Sequence, residues 1–149
     1  MTQKTWSVYL SGEIHSDWRE RIIEGTKAKG LAVTFTSAVT DHDASDMVGV
    51  NILGSEEDNF WRDRKASGIN SIRTSTHIKG ADLVVVRFGP NYKQWNAAFD
   101  AGFAVASGKP IITLHDAEHD HALKEVDEAA KATCRNPEQV VEILSYLLS

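Results

Sequence analysis

The sequence predicts an α/β fold, a five-stranded parallel sheet with helices packed on both faces. Three observations carry that expectation. First, residues 79–114 read as strand, helix, strand: the apolar run LVVV at 83–86, a helically spaced segment at 94–107, and a second apolar run at 110–114. Strands joined through a helix lie parallel, with a right-handed crossover. Second, the 83–86 run is continuous rather than alternating, which suits a strand buried on both faces. Third, runs of β-formers alternate with helical segments along the chain, the pattern of a sheet covered by helices.

Each element has its own justification. Residues 5–11 (TWSVYLS) are β-formers and stop at Gly12. Asp17 is placed to cap the next helix, with Glu20 as the capping-box partner. Trp18, Ile22, Ile23 and Thr26 mark one helical face, and Gly30 closes the helix. The second strand falls at 32–36. Residues 37–58, with Asp41, His42, Asp43, Asp46, Gly49 and Gly54, are the least regular part and are expected to form a long functional loop. Asp58 or Asn59 starts another helix, which Gly68 is expected to interrupt, with helical spacing again at 69–79. The third strand, 82–87, ends in the turn residues 87–91 (RFGPN).

Trp95, Phe99, Gly102, Phe103 and Ala106 share one face of the 94–107 helix, which Gly108 and Pro110 terminate. Strands at 110–114 and 131–134 follow, separated by a polar stretch dense in His and Asp. Asn136, Pro137 and Glu138 form a strong helix start, and Val140, Val141, Leu144, Leu147 and Leu148 a core stripe. The expected strand order is 2-1-3-4-5, a flavodoxin-like three-layer sandwich. Residues 1–149 are expected to make one domain.

Composition narrows the function classes. The chain has 149 residues, 42% of them hydrophobic and 25% charged, as in an ordinary soluble protein. A net charge of -5 with scattered Lys and Arg argues against a nucleic-acid polymer or an anionic membrane as partner. Cys134 is the one cysteine, so neither an intrachain disulfide nor a cysteine-based zinc site is available. No stretch approaches a membrane span and no secretory leader is evident, so a cytoplasmic location is expected.

In such a sheet, ligands bind outside the carboxyl ends of the strands where the order reverses, here between the first and third strands. That brings residues 11–13, residues 87–89 and the start of the 94–107 helix around one crevice. Asp100 is the only charged residue between Lys93 and Lys109, one turn beyond Asn96 and near a helix N-terminus. A carboxylate in an apolar cleft serves as a nucleophile or a general acid/base; the competing reading is a solvated helix residue. Tyr9, late in the first strand, is either a hydrogen-bond donor into the crevice or a half-buried strand tyrosine. The His/Asp stretch from His115 to His121 lacks a ligand motif, as do Asp41, His42, Asp43 and Asp46, so no metal is expected. Cys134 reads as a packing residue.

Residues 9–12 (YLSG), 80–86 (GADLVVV), 97–104 (AAFDAGFA) and 108–110 (GKP) together resemble the nucleoside 2-deoxyribosyltransferase superfamily. The chain as a whole looks most like the YtoQ family within or beside it. The resemblance covers about residues 6–114 and implies cleavage or transfer at the N-glycosidic bond of a nucleoside-like (deoxyribosyl) substrate, with no cofactor. It puts Asp100 at the nucleophile position, Tyr9 at the tyrosine that orients the nucleophile, and Gly12 where a ligand approaches the first turn. It further implies a homo-oligomer, with Trp61, Trp95 and the 94–107 helix as interface candidates.

The sequence departs from the superfamily pattern in three places. Asp100 replaces a glutamate, one methylene longer. Gln94 and Thr74 replace aspartates that hold the sugar or base. The remaining candidate ligand contacts are Ile14, His15, Gly89 and Asn96. Asn96 and Gln94 suit a neutral polar ligand better than a phosphate, which Glu13 and Asp17 of the first loop would repel, with His15 and Arg19 a partial offset. The alternative is a non-catalytic nucleoside- or nucleotide-binding module of the same fold.

Overall fold

A computed structural model describes residues 3–149. In chain order the elements are β1 (Trp6–Gly12), α1 (Trp18–Ala28), β2 (Val33–Ser37), α2 (His42–Leu53), α3 (Asn59–Gly80), β3 (Leu83–Phe88), α4 (Trp95–Ala106), β4 (Ile111–His115), α5 (Lys124–Ala129), β5 (Ala132–Cys134) and α6 (Pro137–Leu147). The five strands form one parallel sheet in the order β2-β1-β3-β4-β5. The expected strands all form, each within a residue of its sequence-derived start.

Alternation along the strands sorts the helices into two layers. Val8, Leu10, Leu83, Val85, Ile112 and Leu114 face α1 and α6, where Trp18, Ile22, Val140, Val141 and Leu144 cover them. Tyr9, Val84, Val86, Phe88 and Ile111 face the other way and are covered by Ile78 of α3 and by Ala97, Ala101 and Ala104 of α4. Three alanines at i, i+4 and i+7 let α4 lie close to the sheet. The aromatic face of the same helix turns outward, leaving Trp95 75% and Phe99 74% exposed.

Three local expectations are corrected. The supposed long loop contains α2, whose N-cap Asp41 accepts a hydrogen bond from the Ala44 backbone N–H. His42 pairs with Asp46 one turn on, so these residues belong to a helix start and not to a cation loop. Gly49 is the reason α2 forms there. A Cβ at that position would lie 2.4 Å from the Ala66 nitrogen, so glycine lets α2 cross α3 in contact.

Gly68 does not interrupt α3, which runs unbroken for 22 residues. No atom would meet a Cβ at Gly68, so its cost is the backbone entropy of about 1 kcal/mol that a long helix absorbs. Asp17 occupies the N-cap of α1 but makes no side-chain capping bond. Glu13 instead closes the loop ahead of α1, accepting from the His15 backbone N–H and from Ser16 Oγ.

Candidate active site

The crevice lies at the carboxyl edge of β1 and β3, between the β1–α1 loop, the β3–α4 loop and the first turns of α4. Gly12 ends β1 at φ 110°, and a Cβ there would sit 2.1 Å from the Arg87 carbonyl oxygen. Sheet packing therefore demands this glycine whether or not a ligand approaches the turn. At Gly89 a Cβ would meet Glu13 Cγ at 2.4 Å, so this glycine makes room for the Glu13 side chain across the crevice floor.

Gln94 occupies the N-cap of α4, and its Oε1 accepts from the Gly89 backbone N–H at 3.0 Å. Its amide NH2 stays available. Asn96 is exposed in the first turn of α4. At the mouth, His15 is exposed and its ring lies 5.0 Å from that of Tyr92. Ile14 is half-buried beside it.

Asp100 is half-buried, and its Oδ2 accepts a 2.6 Å hydrogen bond from Ser11 Oγ. Burial raises the carboxyl pKa above its ordinary value, and the Ser11 hydrogen bond opposes that rise. The expected hydrogen bond from Tyr9 to Asp100 does not form. Tyr9 is fully buried under α3, its ring stacked on His77, and its Oη has no hydrogen-bond partner among the described residues. Burial raises the phenol pKa, and the nearby Thr74 side chain opposes this without a bond of good geometry. The physical reason is side-chain length. Asp is one methylene shorter than Glu and finds the hydroxyl of residue 11 rather than that of residue 9, both on the same strand face. Ala97 and Ala101 are buried against the sheet.

Sequence reasoning placed residues 11–13 at the crevice but gave no role to the Ser11 hydroxyl or the Glu13 carboxylate, and missed the commitment of Arg19. Arg19 is buried and donates to the carbonyls of Glu13, Leu10 and Gly12 at 2.6, 3.2 and 3.1 Å. Its guanidinium also lies 4.5 Å from the centre of the Trp18 ring. It fastens the end of β1 and is not free to meet a ligand phosphate. The signal for Ser11 was alternation: residues 9 and 11 share a face, so a hydroxyl at 11 is as well placed for α4 as one at 9.

The His/Asp stretch is partly structural rather than solvated. His115 is fully buried, with Nε2 2.8 Å from Asp127 Oδ2 and Nδ1 2.9 Å from the Asp116 carbonyl. Thr113 Oγ donates to Asp127 Oδ1 at 2.7 Å, and Arg135 chelates Asp120. His115, Asp120 and Asp127 lie close enough to hold a cation, but both ring nitrogens of His115 and both Asp120 oxygens already have protein partners. Among the described residues, no helix is long and apolar enough to cross a membrane.

The parallel sheet in the order 2-1-3-4-5, with a crevice at its carboxyl edge and an acid on the helix after the third strand, is the architecture of nucleoside 2-deoxyribosyltransferase-like proteins. The fold is similar to that of a Clostridium botulinum CMP N-glycosidase, BcmB (TM-score 0.53, 15% identity, 95% of this chain and 99% of that one). It is also similar to that of a 2-deoxyribosyltransferase from Bacillus psychrosaccharolyticus (TM-score 0.50, 18% identity, 91% and 90%). The family model described as nucleoside 2-deoxyribosyltransferase YtoQ matches residues 9–148, and the chain belongs to that family. A Bacillus subtilis (strain 168) relative, "Uncharacterized protein YtoQ", is 45% identical over 140 residues, 94% of this chain and 95% of its own.

Proposed function

We propose that this protein cleaves or transfers at the N-glycosidic bond of a nucleoside-like, deoxyribosyl substrate, with Asp100 as the nucleophile. One observation carries the reading: a half-buried carboxylate at the carboxyl edge of the sheet, with one oxygen held by Ser11 and no protein hydrogen bond to the other among the described residues. In the first step an Asp100 oxygen attacks C1′. The C1′–N bond breaks, its electron pair goes to the base nitrogen, and that nitrogen takes a proton from solvent. In the second step water or an incoming base attacks C1′, the ester bond breaks, and the carboxylate is restored as the attacking group loses its proton.

The Gln94 amide and Asn96 supply neutral hydrogen-bonding groups to sugar or base. His15, Ile14 and Tyr92 form the mouth, and the Gly12 and Gly89 turns form the floor. Thr74 stands behind Tyr9 and defines the inner wall under α3. The missing Tyr9 contact favours a second reading, a binding module without turnover. A homo-oligomer is part of the proposal, joined through the outward face of α4. Trp95 and Phe99 are exposed there, and a cleft of about 330 Å3 on the same helix is lined by Ala98, Gly102 and Val105 and by Val126 and Ala129 of α5.

The test is a screen of deoxynucleosides for base release or exchange, with Asp100→Ala and Asp100→Asn as controls and mass spectrometry to detect a glycosyl-enzyme ester. Turnover lost in both variants supports the reading. Undiminished turnover in Asp100→Asn refutes it, and thermal stabilisation by nucleosides without turnover selects the binding module.

A further inference from the structure

We propose that Ser11 is the positioning residue of Asp100, holding one carboxylate oxygen so that the other faces the crevice. The inference deepens the reading of Asp100 as the reactive carboxylate and rests on it for its functional meaning. The contact itself is a property of the folded chain.

The geometry has three parts. Ser11 is fully buried near the carboxyl end of β1, in register with Val86 of β3, so its backbone is held by the central strand of the sheet. Asp100 comes from α4, which the alanines 97, 101 and 104 bring close to the sheet, so a side chain with a single methylene reaches the strand. The Ser11 Oγ–H then donates to Asp100 Oδ2 at 2.6 Å, across 89 residues of sequence.

Rotation about the terminal carboxylate torsion of an aspartate is otherwise broad and roughly two-fold. A single short bond to one oxygen selects one orientation and leaves Oδ1 to carry any attack, which serves the orientation that such chemistry requires. Other groups near this site are Tyr9 on β1, Arg19 on α1, and Arg73 and His77 on α3; α4 itself carries no second charge. The serine hydroxyl is the group that lowers the carboxyl pKa against the effect of burial, and Tyr9 has no part in that balance. Tyr9 is thereby released from the orienting role that its position suggests.

The experiment reads the Asp100 carboxyl directly. Carboxyl carbon resonances are followed against pH in the wild type, in Ser11→Ala and in Tyr9→Phe, with Asp100 assigned through Asp100→Asn. The expected result is a titration displaced to higher pH in Ser11→Ala and unchanged in Tyr9→Phe. No displacement in Ser11→Ala, or an equal one in Tyr9→Phe, overturns the inference.

The wild type provides a check that does not depend on a variant folding. The Ser11 hydroxyl proton should appear as a slowly exchanging resonance whose shift follows the Asp100 titration, and a resonance insensitive to that titration overturns the inference. None of these readouts needs turnover, so an inactive protein would refute the enzymatic reading while leaving Ser11 to be judged on its own. Where turnover is found, Ser11→Ala should lower kcat about tenfold or more with KM little changed, and displace the acid limb of the rate profile to higher pH.

Discussion

Asp127→Ala would test the buried polar network at the end of β4, and its cost follows from which partners survive the change. Asp127 accepts from Thr113 Oγ and contacts Nε2 of His115, which is fully buried. Thr113 keeps a second hydroxyl, Thr133 Oγ1, at 2.9 Å, so its loss is small. His115 Nε2 has no other partner and becomes a buried, unsatisfied group, at roughly 1–3 kcal/mol. Loss of the α5 anchor adds to this, for a total of about 3 kcal/mol. Unfolding entropy for a chain of this length is about 0.3 kcal/mol per kelvin, so the melting temperature should fall by about 10 °C. Asp127→Asn keeps an acceptor and should lose about half as much. Differential scanning calorimetry at neutral pH gives both values. A fall of less than about 2 °C in the alanine variant would mean that water replaces the carboxylate and that the network holds α5 only weakly.

Three further outcomes are expected. Gly12→Ala places a Cβ 2.1 Å from the Arg87 carbonyl at φ 110°, and should cost at least about 2 kcal/mol in denaturant unfolding, with the β1–β3 edge distorted. Burial holds the folded Asp100 above its ordinary 3.8, with the Ser11 bond offsetting part of this, so the folded state binds more protons than the unfolded state between 3.8 and the raised value. Stability from this group falls as pH rises through that window and is flat above it, so Asp100→Asn should gain on the wild type as pH rises from 3.8 through the raised value, and not beyond it, in paired urea titrations. Trp95→Ser with Phe99→Ser removes two exposed aromatics from α4 and should shift sedimentation toward the monomer without lowering the melting temperature; an unchanged oligomer would place the interface elsewhere.

The sheet was legible because its strands are short β-former runs cut off by Gly and Pro: 83–86 is apolar throughout, 110–114 is apolar but for Thr113, and Gly12 and Gly108 stop what precedes them. α2 was hidden because its cause is tertiary. Its Asp-rich start reads as a loop, and only the crossing at Gly49 and Ala66 makes the helix worthwhile. Gly68 misled for the opposite reason, since a helix anchored on either side of it, at Ala66 and Ile78, tolerates one exposed glycine. In the site, Asp100 stood out as a lone charge in an apolar helix, and its half-burial agrees with that reading. Its partner did not stand out, because serine and tyrosine on one strand face are equivalent in pattern. What separates them is how near α4 comes, and that depends on alanines whose inward direction only the packed structure reveals. His115 looked like part of a solvated loop because its partner Asp127 lies twelve residues on, beyond any local motif.

β1 pairs on one side with β2 and on the other with β3, so Tyr9 meets Thr36 early in the chain but Val84 only 75 residues later. During synthesis the first strand must wait, half covered, until the ribosome has released β3, and Ser11 waits longer still for Asp100. At roughly 5–20 residues per second that interval is about 4 to 18 seconds. Throughout it Val8, Leu10 and one edge of the first strand lack their eventual neighbours. The nascent chain is therefore most exposed to misassociation and most dependent on chaperones before β3 emerges. A stall in translation between the second and third strands would be more damaging than one after α4, when the centre of the sheet has already closed.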